Sequence, residues 1–162
     1  HLMNGKNEFE DIYFHSLNVA VISMMIGKAK GFNAQQLKEL SFAALFHDMG
    51  KIKIPTAILR KQTPLTEPEC NYLKLHTKYG VDLAKNIAAF PESAKRVIAQ
   101  HHEVADGSGY PEGLKGSEID PYTQVVSVAN AFDNLCHNPI ASEQKIPYTA
   151  LSHLYKLSLI HI

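Results

Sequence analysis

The sequence predicts an all-α domain with one hydrophobic core. Apolar residues recur at helical spacing in several segments, and capping residues, glycines or prolines stand at the ends of those segments. No segment shows the strict apolar and polar alternation that is typical of a half-buried β-strand. A chain of 162 residues is long enough for one core and needs no second domain. We therefore interpret residues 1–162 as a single domain.

The first half of the chain contains three predicted helices. The first covers residues 9–30 and stops at Gly31, and the second covers residues 34–48. A connector with two prolines follows, for which we expect no more than a short helical turn. The third helix opens at a capping pattern that begins with Thr66, and it continues to Ile87.

The second half of the chain contains a long loop between helices. A helix over residues 91–102 leads into a loop over residues 104–120 that is rich in glycine and acidic residues. The next helix covers residues 122–138, and its apolar side chains predict a core position. A last helix is expected over residues 147–160.

Charge and cysteine content exclude several classes of protein. Basic and acidic residues both number 16, so binding to DNA is disfavoured, although a small phosphate ligand is not. The sequence shows no apolar run near the roughly 20 residues that span a bilayer, so we expect no membrane insertion. Cys70 and Cys136 have no metal-type spacing and are expected to be reduced thiols. These observations predict a soluble cytoplasmic domain.

The nine histidines are the unusual part of the composition. Five of them lie where the predicted helices face the core or end, namely His15, His47, His76, His101 and His102. One inward histidine is usually a hydrogen-bonded core residue, but burying five without partners would be costly. A divalent metal binds neutral imidazole and carboxylate readily, and Asp48 stands beside the second of these histidines. The set predicts a centre of two metal ions bridged by Asp48, which is typical of phosphoester hydrolysis.

Two motifs give the sequence a family resemblance. FHDMGK at residues 46–51 and HHEVADGSGYP at residues 101–111 resemble an HD-GYP domain, the bacterial branch of the HD metal-dependent phosphohydrolase superfamily. The similarity runs over about residues 9–138 and includes FHSLNVA around His15 and VANAFDNL at residues 128–135. It implies an HD-type helical bundle with a metal site between helices, and a metal-dependent phosphodiesterase, since members typically hydrolyse cyclic di-GMP.

The resemblance also implies a role for each matched residue. The implied metal ligands are His15, His47, Asp48, His76, His101, His102 and Asn130. Asp48 and Lys51 are the implied catalytic residues. The implied substrate contacts are Lys51, Gly109, Tyr110 and Pro111. Judged from the residues alone, a solvated Lys51 and a loop that is only a surface turn remain open alternatives.

The last matched helix departs from the family pattern. Asn130 stands where the family usually has a metal-binding aspartate, and a neutral amide oxygen is a poorer ligand for a hard cation. Asp133 lies on nearly the same helix face and could compensate or support another ligand. Asp11, one turn before His15, lies where some family members place a carboxylate for a third metal. Ordinary polar surface or packing is the open alternative for all three, and the arginines common after this helix are absent.

The sequence therefore predicts a cyclic di-GMP phosphodiesterase domain with two divalent metal ions, iron or manganese by family resemblance. One alternative is a catalytically degenerate module that binds this ligand or a partner protein without turnover. Another is an HD-type hydrolase of a different nucleotide. The resemblance further implies an upstream sensor or receiver domain in a larger bacterial signalling protein, and a homodimer is one open assembly.

Overall fold

The computed structural model describes the backbone of residues 8–137 and the side chains of residues 12–136. Its α-helices are α1 (Glu8–Ala29), α2 (Ala34–Phe46), α3 (Thr56–Leu59), α4 (Glu67–Lys74), α5 (His76–Lys85), α6 (Glu92–Gln100) and α7 (Pro121–His137), and a 3-10 helix covers Met49–Lys53. Within these limits the β pairing consists of one isolated bridge, between Asp106 and Lys115. The all-α prediction is confirmed. The helix predicted over residues 147–160 lies outside the described residues.

Helix α1 is apolar on both faces. Its inward face, where Val19 is fully buried, packs against α2 and α7. Its outward face exposes large apolar side chains, among them Phe14 and Val21. By length and composition alone, Ile12–Ala29 could cross a membrane, a feature that the sequence analysis did not detect. In this fold the same helix forms one wall of the core.

The core lies between α1, α2, α6 and α7. Its largest fully buried apolar side chains away from α1 are Leu40, Val97, Ile98 and Val126. Helix α2 packs directly against α6, and α6 packs against α7. This packing brings the C-terminal ends of α2 and α6 together, and each of these ends carries candidate ligands.

The prediction of one helix from Thr66 to Ile87 is wrong. The start is as predicted, because Thr66 and Glu69 form a capping box. The chain then forms two helices, α4 and α5, which meet at Leu75. Ile87, the predicted end of that helix, lies beyond the end of α5 and is exposed.

Side chains that bond to helix carbonyls account for this break. The Nδ1 atom of His76 lies 2.7 Å from the carbonyl oxygen of Leu73. The hydroxyl of Thr77 donates to the carbonyl oxygen of Lys74 at 3.1 Å. Such local bonds compete with the backbone N–H groups that would otherwise continue a single helix. The break also turns the His76 side chain into the interior, where it is 1% exposed.

Two glycines allow the 3-10 helix to touch the backbone of α5. A Cβ atom on Gly50 would collide with the carbonyl oxygen of His76 and would lie 2.5 Å from the nitrogen of Gly80. A Cβ atom on Gly80 would lie 3.3 Å from the nitrogen of Gly50 in the 3-10 helix, and 2.6 Å from Cγ2 of Ile98 on α6. This close approach places Asp48, which directly precedes the 3-10 helix, beside the start of α5.

Candidate metal centre

Asp48 is at the middle of the candidate site, and its side chain is 2% exposed. Its Oδ2 atom lies 3.6 Å from Nε2 of His15 and 3.4 Å from Nε2 of His47. Its Oδ1 atom lies 3.3 Å from Nε2 of His76 and 3.4 Å from Nε2 of His101. Each carboxylate oxygen therefore faces two imidazoles, an arrangement suited to a carboxylate that bridges two cations.

The possible ligand atoms form two groups that share Asp48. The first group is His15, His47 and Asp48, and the second is Asp48, His76, His101 and His102; within each group the ligand atoms lie within 4.8 Å of one another. The structure brings together the five predicted histidines and Asp48 from different helices, and their role as metal ligands stays a prediction. The number and identity of the ions stay predictions.

Backbone carbonyls fix the tautomer of three imidazoles. Nδ1 of His47 lies 2.7 Å from the carbonyl oxygen of Ala44, and the matching distance from His76 to Leu73 is also 2.7 Å. Nδ1 of His101 lies 3.1 Å from a carbonyl oxygen one turn earlier. A carbonyl oxygen can only accept, so each Nδ1 carries a proton, and in the neutral ring, the form that binds metal, Nε2 is the atom with the lone pair. Nε2 of His76 and Nε2 of His101 are 3.3 Å apart, so their lone pairs favour a cation between them.

Three buried polar atoms of the site lack hydrogen-bond partners in the part of the chain that the structure describes. They are Nε2 of His15, Nε2 of His47 and Oδ1 of Asp48. A buried polar atom without a partner costs free energy, and most such atoms in proteins are satisfied. Metal coordination would satisfy all three, so the residues fit a divalent metal.

The pKa shifts favour the ligand forms of these side chains. Burial lowers the pKa of His101 to about 4. Burial, together with the neighbouring His101, lowers the pKa of His102 to about 2. Burial acts to raise the pKa of Asp48, but Lys51 and His47 outweigh it and hold that pKa well below its ordinary value. Neutral imidazoles and an ionised carboxylate are the forms that bind metal.

Lys51 belongs to the same site. Its Nζ atom lies 2.5 Å from Oδ2 of Asp48, and its side chain is 26% exposed. The ammonium thus touches the buried carboxylate while part of the side chain remains accessible. Its predicted contact with a substrate phosphate stays a prediction.

Asp133 on α7 supports the site through His15. Its Oδ2 atom lies 2.6 Å from Nδ1 of His15, and its Oδ1 atom accepts a hydrogen bond from the amide of Asn18 at 3.1 Å. Because this carboxylate engages Nδ1, Nε2 of His15 is the atom left to face Asp48. The sequence analysis offered this supporting role as one of two for Asp133.

Two other positions of uncertain role are Asn130 on α7 and Asp11 on α1. Asn130 is 5% exposed, and its Oδ1 atom accepts a hydrogen bond from Asn134 at 3.0 Å. Its role as a metal ligand stays a prediction. Asp11 lies on α1 one turn before His15, but its side chain is outside the described part of the chain.

The loop after α6 packs an aromatic ring on the site. Gly107 has a φ of 82°, and a Cβ atom on Gly109 would lie 2.5 Å from the carbonyl oxygen of His102. Both glycines are therefore needed in this turn. The ring of Tyr110 stacks on His102 with 4.7 Å between centroids and 14° between planes. Pro111 follows and is exposed.

Glu103 has a role that the sequence analysis missed. Its side chain is buried, at 4% exposure, and its oxygens accept hydrogen bonds from the backbone N–H groups of Glu112 at 2.7 Å and Leu114 at 2.9 Å. The carboxylate thereby ties the far side of the loop to the end of α6. Its position directly after two inward histidines could have predicted this role. A carboxylate buried at that point needs hydrogen-bond donors from the protein.

The fold and the site together define a class, the helical domains of HD type, with histidines and an aspartate gathered between helices. A family model described as "HD domain" matches residues 6–161, and the chain belongs to this family. The structure is similar to that of Bd1817, an HDG"Y"P protein from Bdellovibrio bacteriovorus, with a TM-score of 0.74 and 26% identity over 93% of this chain and 47% of that one. The resemblance to HD-GYP domains is confirmed.

Two curated relatives carry names that state an activity. The chain is 35% identical to "Cyclic di-GMP phosphodiesterase response regulator RpfG" from Xanthomonas campestris, over 83% of this chain and 36% of the relative. It is 36% identical to "3'3'-cGAMP-specific phosphodiesterase 3" from Vibrio cholerae, over 75% of this chain and 26% of the relative. The chain thus spans about a third or less of the length of these relatives.

Proposed function

We propose that this domain hydrolyses a phosphodiester bond of a cyclic dinucleotide, with cyclic di-GMP as the first substrate to test. The observation that carries the proposal is Asp48, whose two oxygens each face two imidazoles. Such an arrangement would suit a pair of divalent ions, and two-metal sites are typical of phosphoester hydrolysis. The names of the relatives, a cyclic di-GMP phosphodiesterase and a 3'3'-cGAMP-specific one, support the substrate class.

The two groups of residues that share Asp48 would hold the divalent ions, which when bound would supply Lewis acidity toward the phosphate and lower the pKa of a water. Iron or manganese suits a ligand set of imidazole and carboxylate. Lys51 binds a non-bridging phosphate oxygen at the rim of Asp48 and offsets charge as the transition state forms. The loop with Gly109, Tyr110 and Pro111 borders the substrate and limits access of bulk water.

We also propose that the domain is the output part of a larger bacterial signalling protein in the cytoplasm. One relative is named a response regulator, which supports an upstream receiver domain. Cys70 and Cys136 are both free thiols, which agrees with a reducing compartment.

The test is metal analysis followed by an assay on the same sample. Protein is prepared without oxygen or chelator, bound iron and manganese are counted per chain, and cyclic di-GMP and 3'3'-cGAMP are offered in parallel. We expect two equivalents of metal and turnover of at least one substrate. Asp48→Asn should abolish both, while Asp82→Asn, a change at an exposed carboxylate on α5, should leave both unchanged. Intact substrates after full metal loading would contradict the proposal.

The second candidate is a module that binds the ligand without hydrolysing it. Asn130 favours it, because its amide oxygen is occupied by Asn134 and a neutral amide is a weaker ligand than a carboxylate. Asn130→Asp distinguishes the two candidates. A gain of a metal equivalent together with new activity would assign the loss of catalysis to this residue, whereas binding without turnover in both proteins would favour the module.

A further inference from the structure

Lys74 lies at the edge of the metal centre. It is the last residue of α4, and His76 enters the centre two residues later. Its Nζ atom lies 5.2 Å from the centroid of the Tyr110 ring, a cation–π contact. Tyr110 in turn stacks on His102 at 4.7 Å. Lys74 thus contacts Tyr110, and Tyr110 contacts the candidate metal ligand His102. The ring of Tyr110 keeps the Lys74 ammonium close to His102.

The Tyr110 ring holds the Lys74 ammonium in place, and no carboxylate of the described residues pairs with it. Over residues 12–136 it makes no ion pair, whereas Lys51 is paired with Asp48. The side chain of Lys74 is exposed, and the face of an aromatic ring leaves the N–H donors of an ammonium available to an anion. The position therefore offers a cation to a ligand that extends outward from the metals.

We propose that Lys74, positioned by Tyr110, binds the second phosphate of a cyclic dinucleotide, the one that is not being hydrolysed. The inference rests on the proposed function. A cyclic dinucleotide has two phosphodiester groups on opposite sides of one sugar–phosphate ring, each with a negative charge. When one group lies at the metals beside Lys51, the other projects past the rim and favours a cation there.

The direct test is binding of a phosphorothioate analogue of cyclic di-GMP to metal-loaded protein, measured by isothermal titration calorimetry. Lys74→Ala should raise Kd about tenfold, the scale of one lost charge-assisted hydrogen bond. Lys74→Arg should keep Kd within about threefold, because it retains the charge. The matched control is Lys78→Ala, which should not change Kd. Lys78 is exposed on the same helix as the buried His76. Two residues along an α-helix correspond to a rotation of about 200°, so the Lys78 side chain points away from the metal centre.

A substrate with a single phosphodiester separates the second-phosphate site from the metal centre. Lys74→Ala should lower kcat/KM for cyclic di-GMP at least about fivefold more than it lowers kcat/KM for bis(p-nitrophenyl) phosphate. Equal losses, or an unchanged Kd for the analogue, would overturn the inference even if the wild-type domain is active. In a third outcome, the wild-type domain hydrolyses neither substrate, but Lys74→Ala still binds the analogue more weakly than the wild type does. That result would overturn the proposed function and support this site.

Discussion

Asp133 acts on the metal centre through His15, although it belongs to a different helix. Its carboxylate engages Nδ1 of His15 at 2.6 Å, which orients the ring and makes Nε2 the ligand atom. In Asp133→Asn the partner is neutral, and its amide can rotate so that a donor meets Nδ1–H. We expect metal affinity to fall about 10- to 100-fold, the usual effect of losing such a partner. Chelator competition on the holoprotein measures it.

The control for this change lies on α5. Asp82→Asn removes an exposed carboxylate that pairs with Lys85, so metal affinity should stay at the wild-type value. If Asp133→Asn bound metal as tightly as this control, Asp133 would be a packing residue, and the contact with His15 would have no effect on the site.

At the scale of elements, the crossing of the 3-10 helix and α5 sets the distance from Asp48 to His76. Gly50→Ala would drive a methyl group into the carbonyl oxygen of His76, and two backbone segments cannot yield as a flexible side chain does. We expect a loss of about 3 kcal/mol in the free energy of unfolding, at the upper end for overpacking, together with weaker metal binding. Urea denaturation measures the first effect.

Gly116→Ala is the matched glycine control, because its new Cβ would lie 3.4 Å from Cβ of Ala105, an ordinary contact. The free energy of unfolding should change little in this variant. A Gly50→Ala protein as stable as Gly116→Ala would show that the two elements can separate without cost, contrary to this account.

The loop after α6 depends on hydrogen bonds to the carboxylate of Glu103. In Glu103→Gln, one of the two acceptor oxygens becomes an NH₂ group that faces a backbone donor, so one of the bonds to Glu112 and Leu114 is lost. We expect local stability to fall by about 1.5 to 3 kcal/mol, the range for hydrogen bonds to a charged group. Hydrogen exchange at these two amides should accelerate, while exchange in α2 stays as in the wild type. Unchanged exchange at both amides would refute this role for Glu103.

The elements differ in how well the sequence predicts them. Apolar periodicity and capping residues identify α1, α2 and α7 because each buries one continuous face against neighbours close to it in the fold. The break at Leu75 is not predictable in this way, since it arises from two side-chain bonds to carbonyls inside an otherwise helical pattern. The contact of Glu103 with the loop is also hidden, because its partners are backbone groups 9 and 11 residues away.

On the scale of the whole molecule, the site joins elements that are distant along the chain. The two groups around Asp48 take histidines from α1, from the residue after α2, from α5 and from the end of α6. The five histidines were predictable as a set, because each lies on an inward face or at a helix end. Their division between the two oxygens of Asp48 was not, because it depends on how four helices cross.

Metal removal should therefore destabilise the whole domain and not only the site. Chelation leaves buried nitrogen and oxygen atoms without partners at the point where these helices meet. If metal is present at about 1,000 times its Kd, binding contributes about 4 kcal/mol, which corresponds to roughly 10 °C in Tm for a domain of this size. Calorimetry of the holoprotein with and without chelator measures the shift, and Asp48→Asn should show almost none. Equal Tm values for the wild-type protein in both conditions would mean that metal does not hold these helices together.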